Sequence, residues 1–265
     1  MQHLKISLIQ SELHWEDIEK NLEMFTRKIR DIDGQPDLIV LPEMFTTGFT
    51  SEPRPVGEPM EGKSMQWMEQ MAGEKGSVVT GSLVVRENEK YYNRLVWMPP
   101  GGNYATYNKN HLFTFAGEDK AFEPGREQLI VELKGWKIML SVCYDLRFPV
   151  WCRNSYSEKT GFKYDCLLNV ANWPEARSHA WRILLMGRAI ENQAYVVGVN
   201  RVGKDGNDIL YSGDSAVISP QGDNLSNIMP FQETTETVVM TRCQLDDFRK
   251  AFKSWADWDD FSLES

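Results

Sequence analysis

The sequence is poor in the features that mark exported, membrane-spanning or nucleic-acid-binding chains. It has four cysteines in 265 residues, none in C-x-x-C spacing, so neither a disulfide framework nor a cysteine-held zinc is expected. Cys143, Cys152, Cys166 and Cys243 read instead as reduced thiols of a cytoplasmic protein. Four histidines, His3, His14, His111 and His179, lie far apart with no H-E-x-x-H, and no metal site is expected. The opening MQHLKISLIQ has no long apolar run and no small-residue cleavage site, so no signal peptide is expected. No window approaches the roughly 18–20 apolar residues of a membrane span. Basic charge is also short: 29 Lys and Arg against 38 Asp and Glu give a net charge of −9, which argues against nucleic acid or an anionic membrane as partner.

What the chain does have is a recurring β-branched run: ISLIQ, DLIVLPE, SVVTGSLVV, RLVWMP, KIMLSVCYD, CLLNVAN, AYVVGVN, GDSAVISP and TVVMTRC. Several are apolar at nearly every position, as strands covered on both faces are. Ile18, Leu22, Phe25, Ile29 and Ile32 form one apolar helical stripe. Further helices are expected from near Ser64 and from near Ser178 through AWRILLMGRAIENQ. Turn signals at PPGG and KDGND favour antiparallel neighbours. The sum is a mixed α/β fold with helices outside sheets. No linker or repeat divides it, so a single domain over 1–265 is expected. Residues 244–265 would form a C-terminal extension, whose aromatic stretch from Trp255 to Phe261 offers a packing surface.

Residues 57–64, GEPMEGKS, satisfy G-x-x-x-x-G-K-[ST] letter by letter. A phosphate loop must leave a buried strand, whereas TSEPRPV precedes this one, with two prolines and two charges. Ser64 then reads as part of a helix start. Cys143 falls where a strongly apolar strand gives way to polar residues, a common place for a catalytic group; a buried inert thiol is the alternative. Cys166 starts one apolar strand and Cys243 ends another, so core packing accounts for both. Glu43, straight after LIVLP, suits a general base or acid or an ordinary strand-end carboxylate. Lys109, in YNKNHLF, offers a fixed positive charge for a developing oxyanion or a solvated lysine. His111 nearby leaves open a Cys–His pair.

Taken together, LPEMF around Glu43, YNKNHLF around Lys109 and CYDLRFP around Cys143 resemble the carbon–nitrogen hydrolase (nitrilase) superfamily along essentially the whole chain. The resemblance implies a four-layer α-β-β-α sandwich that commonly pairs through one helical face, hence a homodimer or higher homo-oligomer. It implies Glu43 as general base, Lys109 as oxyanion-stabilising lysine and Cys143 as nucleophile. Glu118, in FAGEDKAFEPG, would be the second glutamate that orients the lysine. NVANWPEARSHAWRILLMGRAIENQAYVVGVNRVG and YSGDSAVISPQG look like the omega-amidase branch, acting on 2-oxoglutaramate and 2-oxosuccinamate. An aliphatic amidase or an N-carbamoyl hydrolase of the same superfamily is the alternative.

A small-molecule amide handled by an acyl thioester leaves no task for a metal or organic cofactor, so none is expected. The backbone N–H of Tyr144 would share the oxyanion with Lys109. A 2-oxo carboxylate calls for an arginine, which binds it through two parallel hydrogen bonds; Arg177 is the candidate. Trp173 and Phe45 are expected as pocket walls, and Arg147 in a structural ion pair with an acidic neighbour.

Overall fold

The computed structural model describes residues 3–263; residues 1–2 and 264–265 of the expected domain lie outside the described residues. Along the chain run β1 (His3–Gln10), α1 (Ile18–Arg30), β2 (Leu38–Val40), α2 (Lys63–Lys75), β3 (Val78–Glu87), β4 (Lys90–Met98) and β5 (Ala105–Asn108). Then follow β6 (Leu129–Leu133), β7 (Trp136–Val142), β8 (Tyr156–Ser157), β9 (Gly161–Phe162), β10 (Cys166–Ala171) and α3 (Ser178–Asn192). The chain closes with β11 (Tyr195–Asn200), β12 (Val202–Lys204), β13 (Leu210–Ser212), β14 (Ala216–Ile218), β15 (Thr234–Thr241) and α4 (Arg242–Ala251).

Two large sheets result, ordered β15-β1-β2-β3-β4-β5 and β14-β11-β10-β7-β6. In the first, β1, β2 and β3 are parallel, and in the second so are β7, β10 and β11. These central strands are the runs that read as apolar throughout, because both their faces are covered. The alternation is visible residue by residue. Ile6, Leu8, Leu38 and Val40 join the core shared with the second sheet, while Ile9, Ile39 and Leu41 point the other way, onto α1 and α2. On the far side of the second sheet, α3 buries Trp181, Leu185 and Ala189. The order is therefore helices, sheet, sheet, helix, as expected.

Local chemistry sets the helix ends. The Asp17 side chain accepts the Lys20 N–H at the start of α1, and the stripe ends at Ile29, since Ile32 lies beyond the last turn although it is buried. At Gly198 in β11, any Cβ would come within 2.7 Å of Leu185 and 2.8 Å of Trp181, so glycine is what lets α3 lie flat on the sheet. The two turn signals produce β4–β5 and β12–β13, both antiparallel.

The phosphate-loop look-alike folds onto itself. The Glu58 carboxylate accepts the Ser64 hydroxyl and its backbone N–H, placing a negative charge where a phosphate would sit. Ser64 is in the first turn of α2. Two further expectations are corrected. Cys243 does not end a strand in the core: β15 stops at Thr241, and Cys243 is an exposed residue of α4. The aromatic tail is partly used by its own chain, Trp255 lying 4.1 Å from the Tyr156 ring and Trp258 6.2 Å from Phe162. Upstream of it, Asp165 anchors α4 through Arg249 at 2.8 Å and Arg242 at 3.0 Å.

Candidate active site

The carboxyl ends of the parallel strands of both sheets converge, and the chain leaves them carrying polar side chains. After β2 comes Glu43, completely buried. Its Oε1 accepts Lys109 Nζ at 2.9 Å and Asn93 Nδ2 at 2.7 Å. Its Oε2 accepts the backbone N–H of Asn172, which follows β10, at 2.7 Å. The Asn172 side-chain amide in turn donates to the Glu43 carbonyl, so one residue of the second sheet fixes both ends of Glu43.

Lys109 directly follows β5 and is buried. Its ammonium also reaches both oxygens of Glu118, at 2.8 and 3.0 Å. Glu118 is held by the Phe113 N–H at 2.6 Å and by Asn93 at 3.1 Å. Asn93, on β4, therefore bridges the two carboxylates, and its own carbonyl accepts the Ser82 hydroxyl.

Cys143 opens the 3-10 turn Cys143–Arg147 that follows β7, with a φ of 44°. That left-handed conformation is costly for a residue with a side chain. Cys143 is partly exposed, and its sulfur lies 3.8 Å from the carbonyl oxygen of Asn172, the residue that holds Glu43. Burial, and then the Glu43 carboxylate, push its pKa well above the usual thiol range, against the pull of Lys109. Burial works to lower the Lys109 pKa, but Glu118 and Glu43 outweigh it and hold the ammonium protonated. Burial raises the Glu118 carboxyl, with Lys109 opposing. The arrangement thus sets a thiol and a lysine ammonium beside two buried carboxyl groups.

Cys143 and Lys109 open onto a cavity of about 60 Å³ walled by Phe49, Phe113, Trp173 and Tyr211, with Tyr144, Arg147 and Arg177 also lining it. The Arg177 guanidinium lies 5.3 Å from the Phe113 ring and that of Arg147 4.7 Å from the Trp173 ring. Among the described residues neither guanidinium is within ion-pair distance of a carboxylate.

Glu43, Lys109, Cys143 and Glu118 are brought together, and Tyr144, Trp173 and Arg177 line the adjoining cavity. Two expectations are corrected. Phe45 is not a pocket wall: it is fully buried between Phe25 and Trp67 on the helix side of the first sheet, because Met44, at φ 42°, turns the chain there. Arg147 is not in an acidic ion pair but lies on Trp173 and faces the cavity. His111 stacks on Phe148 and bonds Asp145 through Nδ1 at 2.8 Å, so its ring is engaged away from Cys143. Sequence reasoning missed Asn93, Ser82 and Asn172. An amide within the apolar stretches of YYNRLVWM and NVANW was the available signal, since a buried amide demands partners.

The Carbon-nitrogen hydrolase family matches residues 5–252. Omega-amidase YafV of Escherichia coli (strain K12) is 43% identical over 263 residues, 99% of this chain and 100% of that protein. The 2-oxoglutaramate amidase of Bacillus subtilis (strain 168) is 32% identical over 82% of this chain and 83% of its own length. Among solved structures, XC1258 from Xanthomonas campestris, a CN-hydrolase superfamily protein with an arsenic adduct in its active site, superposes with a TM-score of 0.97 at 42% identity, covering 100% of both chains.

Proposed function

The chain belongs to the carbon–nitrogen hydrolase family, and from that premise we propose that it is an omega-amidase, releasing ammonia from the terminal amide of 2-oxoglutaramate or 2-oxosuccinamate. One observation carries this reading: the Cys143 thiol and the Lys109 ammonium, the latter shared by Glu43 and Glu118, open onto one cavity that also presents the guanidiniums of Arg147 and Arg177, neither paired with a carboxylate among the described residues.

In this scheme Glu43 takes the thiol proton, and the thiolate forms beside a cation that stabilises it. The sulfur attacks the amide carbon. Lys109 and the Tyr144 N–H hold the oxyanion, a donor of this kind contributing about 3–4 kcal/mol. Glu43 returns the proton to nitrogen, ammonia leaves, and a thioester remains. Water activated by Glu43 then releases the 2-oxo dicarboxylate. Glu118 keeps Lys109 in place, Trp173 walls the substrate, and Arg177 anchors its carboxylate.

The same reading takes the protein as one cytoplasmic catalytic domain, residues 1–265 with 244–265 as its extension, acting as a homo-oligomer. Exposed Ile183 and Ile190 on α3 support assembly through that helical face.

Ammonia release should be measured from 2-oxoglutaramate, 2-oxosuccinamate, plain aliphatic amides, N-carbamoyl amino acids and nitriles. The 2-oxo amides should be turned over with the highest kcat/KM, and Cys143→Ala should remove that turnover while the circular dichroism spectrum is unchanged. Preference for plain amides or carbamoyl compounds would overturn the substrate assignment. Full activity of Cys143→Ala would overturn the mechanism.

A further inference from the structure

The Asp145 carboxylate, within the Cys143–Arg147 turn, is fully buried, and among the described residues no lysine or arginine lies within ion-pair distance of it. Its Oδ2 accepts the Val142 N–H at 3.0 Å and the Tyr107 hydroxyl at 2.7 Å. Its Oδ1 accepts the His111 N–H at 2.9 Å and contacts His111 Nδ1 at 2.8 Å. These partners lie close to the reacting residues in the sequence. Tyr107 and His111 stand two residues either side of Lys109, Val142 immediately precedes Cys143, and Asp145 itself is two residues after it.

The bonds have fixed direction. Tyr107 Oη already accepts the Asn110 N–H at 3.3 Å and Trp151 Nε1–H at 3.1 Å, so its proton goes to Asp145. Backbone N–H groups can only donate. Both carboxylate oxygens therefore face donors that cannot reverse, and only an acceptor at each oxygen satisfies them.

We propose that Asp145 is a positioning residue that sets the spacing between the Lys109 ammonium and the Cys143 thiol by tying both segments to one carboxylate. This rests on the reading of Cys143 as nucleophile and Lys109 as its oxyanion partner. The segments follow strands of different sheets, and the Asp145 side chain joins them by hydrogen bonds to Tyr107, His111 and Val142. An error of about 1 Å between catalytic groups can cost roughly 100-fold in rate.

Asp145→Asn is the discriminating variant. Its amide can keep oxygen toward Val142 and Tyr107 and turn nitrogen toward His111 Nδ1, but the His111 N–H then loses its acceptor. The variant thus loosens the lysine segment without altering cavity-lining groups. With 2-oxoglutaramate, kcat should fall at least about 100-fold while KM stays within about threefold. The pH midpoint of Cys143 alkylation by iodoacetamide should rise by about one unit, because the displaced ammonium no longer favours the thiolate. Tyr107→Phe, which removes one of the bonds, should lose roughly tenfold in kcat.

A folded Asp145→Asn enzyme with kcat within threefold of the parent and an unshifted alkylation profile would overturn the proposal, as would lowered thermal stability with kcat unchanged. Should Asp145→Asn fail to fold, Tyr107→Phe decides: parental kcat and alkylation overturn the proposal. An inactive Cys143→Ala beside a fully active Asp145→Asn discards the positioning role alone, whereas an active Cys143→Ala discards the catalytic reading beneath it.

Discussion

Lys109 Nζ lies 2.9 Å from Glu43 Oε1, with both side chains completely shielded from solvent. A lysine so placed is not there for solubility. It offsets two buried carboxylates, and the desolvation of all three groups is tolerable only because they hydrogen-bond one another.

Lys109→Met keeps the volume and removes the charge, leaving Glu43 and Glu118 facing each other without a cation. Breaking such a cluster should cost about 3–5 kcal/mol in urea unfolding at pH 7, and kcat should fall at least about 1,000-fold. Adding Glu118→Gln should recover part of the stability and none of the activity. Equal recovery of both would mean that the lysine serves only the fold.

Arg177→Ala should raise KM for 2-oxoglutaramate by roughly 10- to 100-fold, the effect of losing a charge-assisted pair. For a neutral aliphatic amide KM should move less than about threefold. Equal effects on the two substrates would remove Arg177 from the carboxylate subsite and leave Arg147, the other guanidinium on the cavity, as its occupant.

Asp165 should make stability depend on acid. Burial raises its pKa, but Arg242 and Arg249 prevail and hold the carboxyl below its usual range. The folded state therefore binds fewer protons than the unfolded state in mild acid. The stabilisation is fully present above the unfolded pKa of about 3.9 and is lost as pH falls through the lower folded value. Asp165→Asn should cost about 3 kcal/mol at pH 7, because it leaves Arg249 buried without its partner. As pH falls through that lower folded value, the stability difference between parent and variant should shrink in a denaturant titration.

Phe45→Leu tests the corrected position of that ring. A core substitution of this size should cost about 1 kcal/mol or slightly more in stability, with KM for every amide unchanged within about twofold. A selective change in KM would return Phe45 to the cavity wall.

Much of this was legible in the chain. The central strands announced themselves by apolar runs, because a strand covered on both faces tolerates little else. Glu43 and Cys143 stood at the ends of such runs, where backbone leaves the sheet and side chains can converge. Phe45 misled because sequence proximity to Glu43 says nothing about side; one residue with positive φ, Met44, turned it to the helices. Arg147 misled because an arginine in a charged neighbourhood suggests an ion pair, whereas here an aromatic face took it.

The sequence by itself determined the layered α/β class, the helices and the three motifs around Glu43, Lys109 and Cys143, since each depends on short-range pattern and residue chemistry. Only the tertiary structure decided that Asn93 and Asn172 hold the carboxylates, that Asp145 joins the lysine and cysteine segments, and which arginines face the cavity. Those facts depend on contacts between residues up to 129 positions apart, where burial turns each hydrogen bond into a constraint that no local pattern encodes.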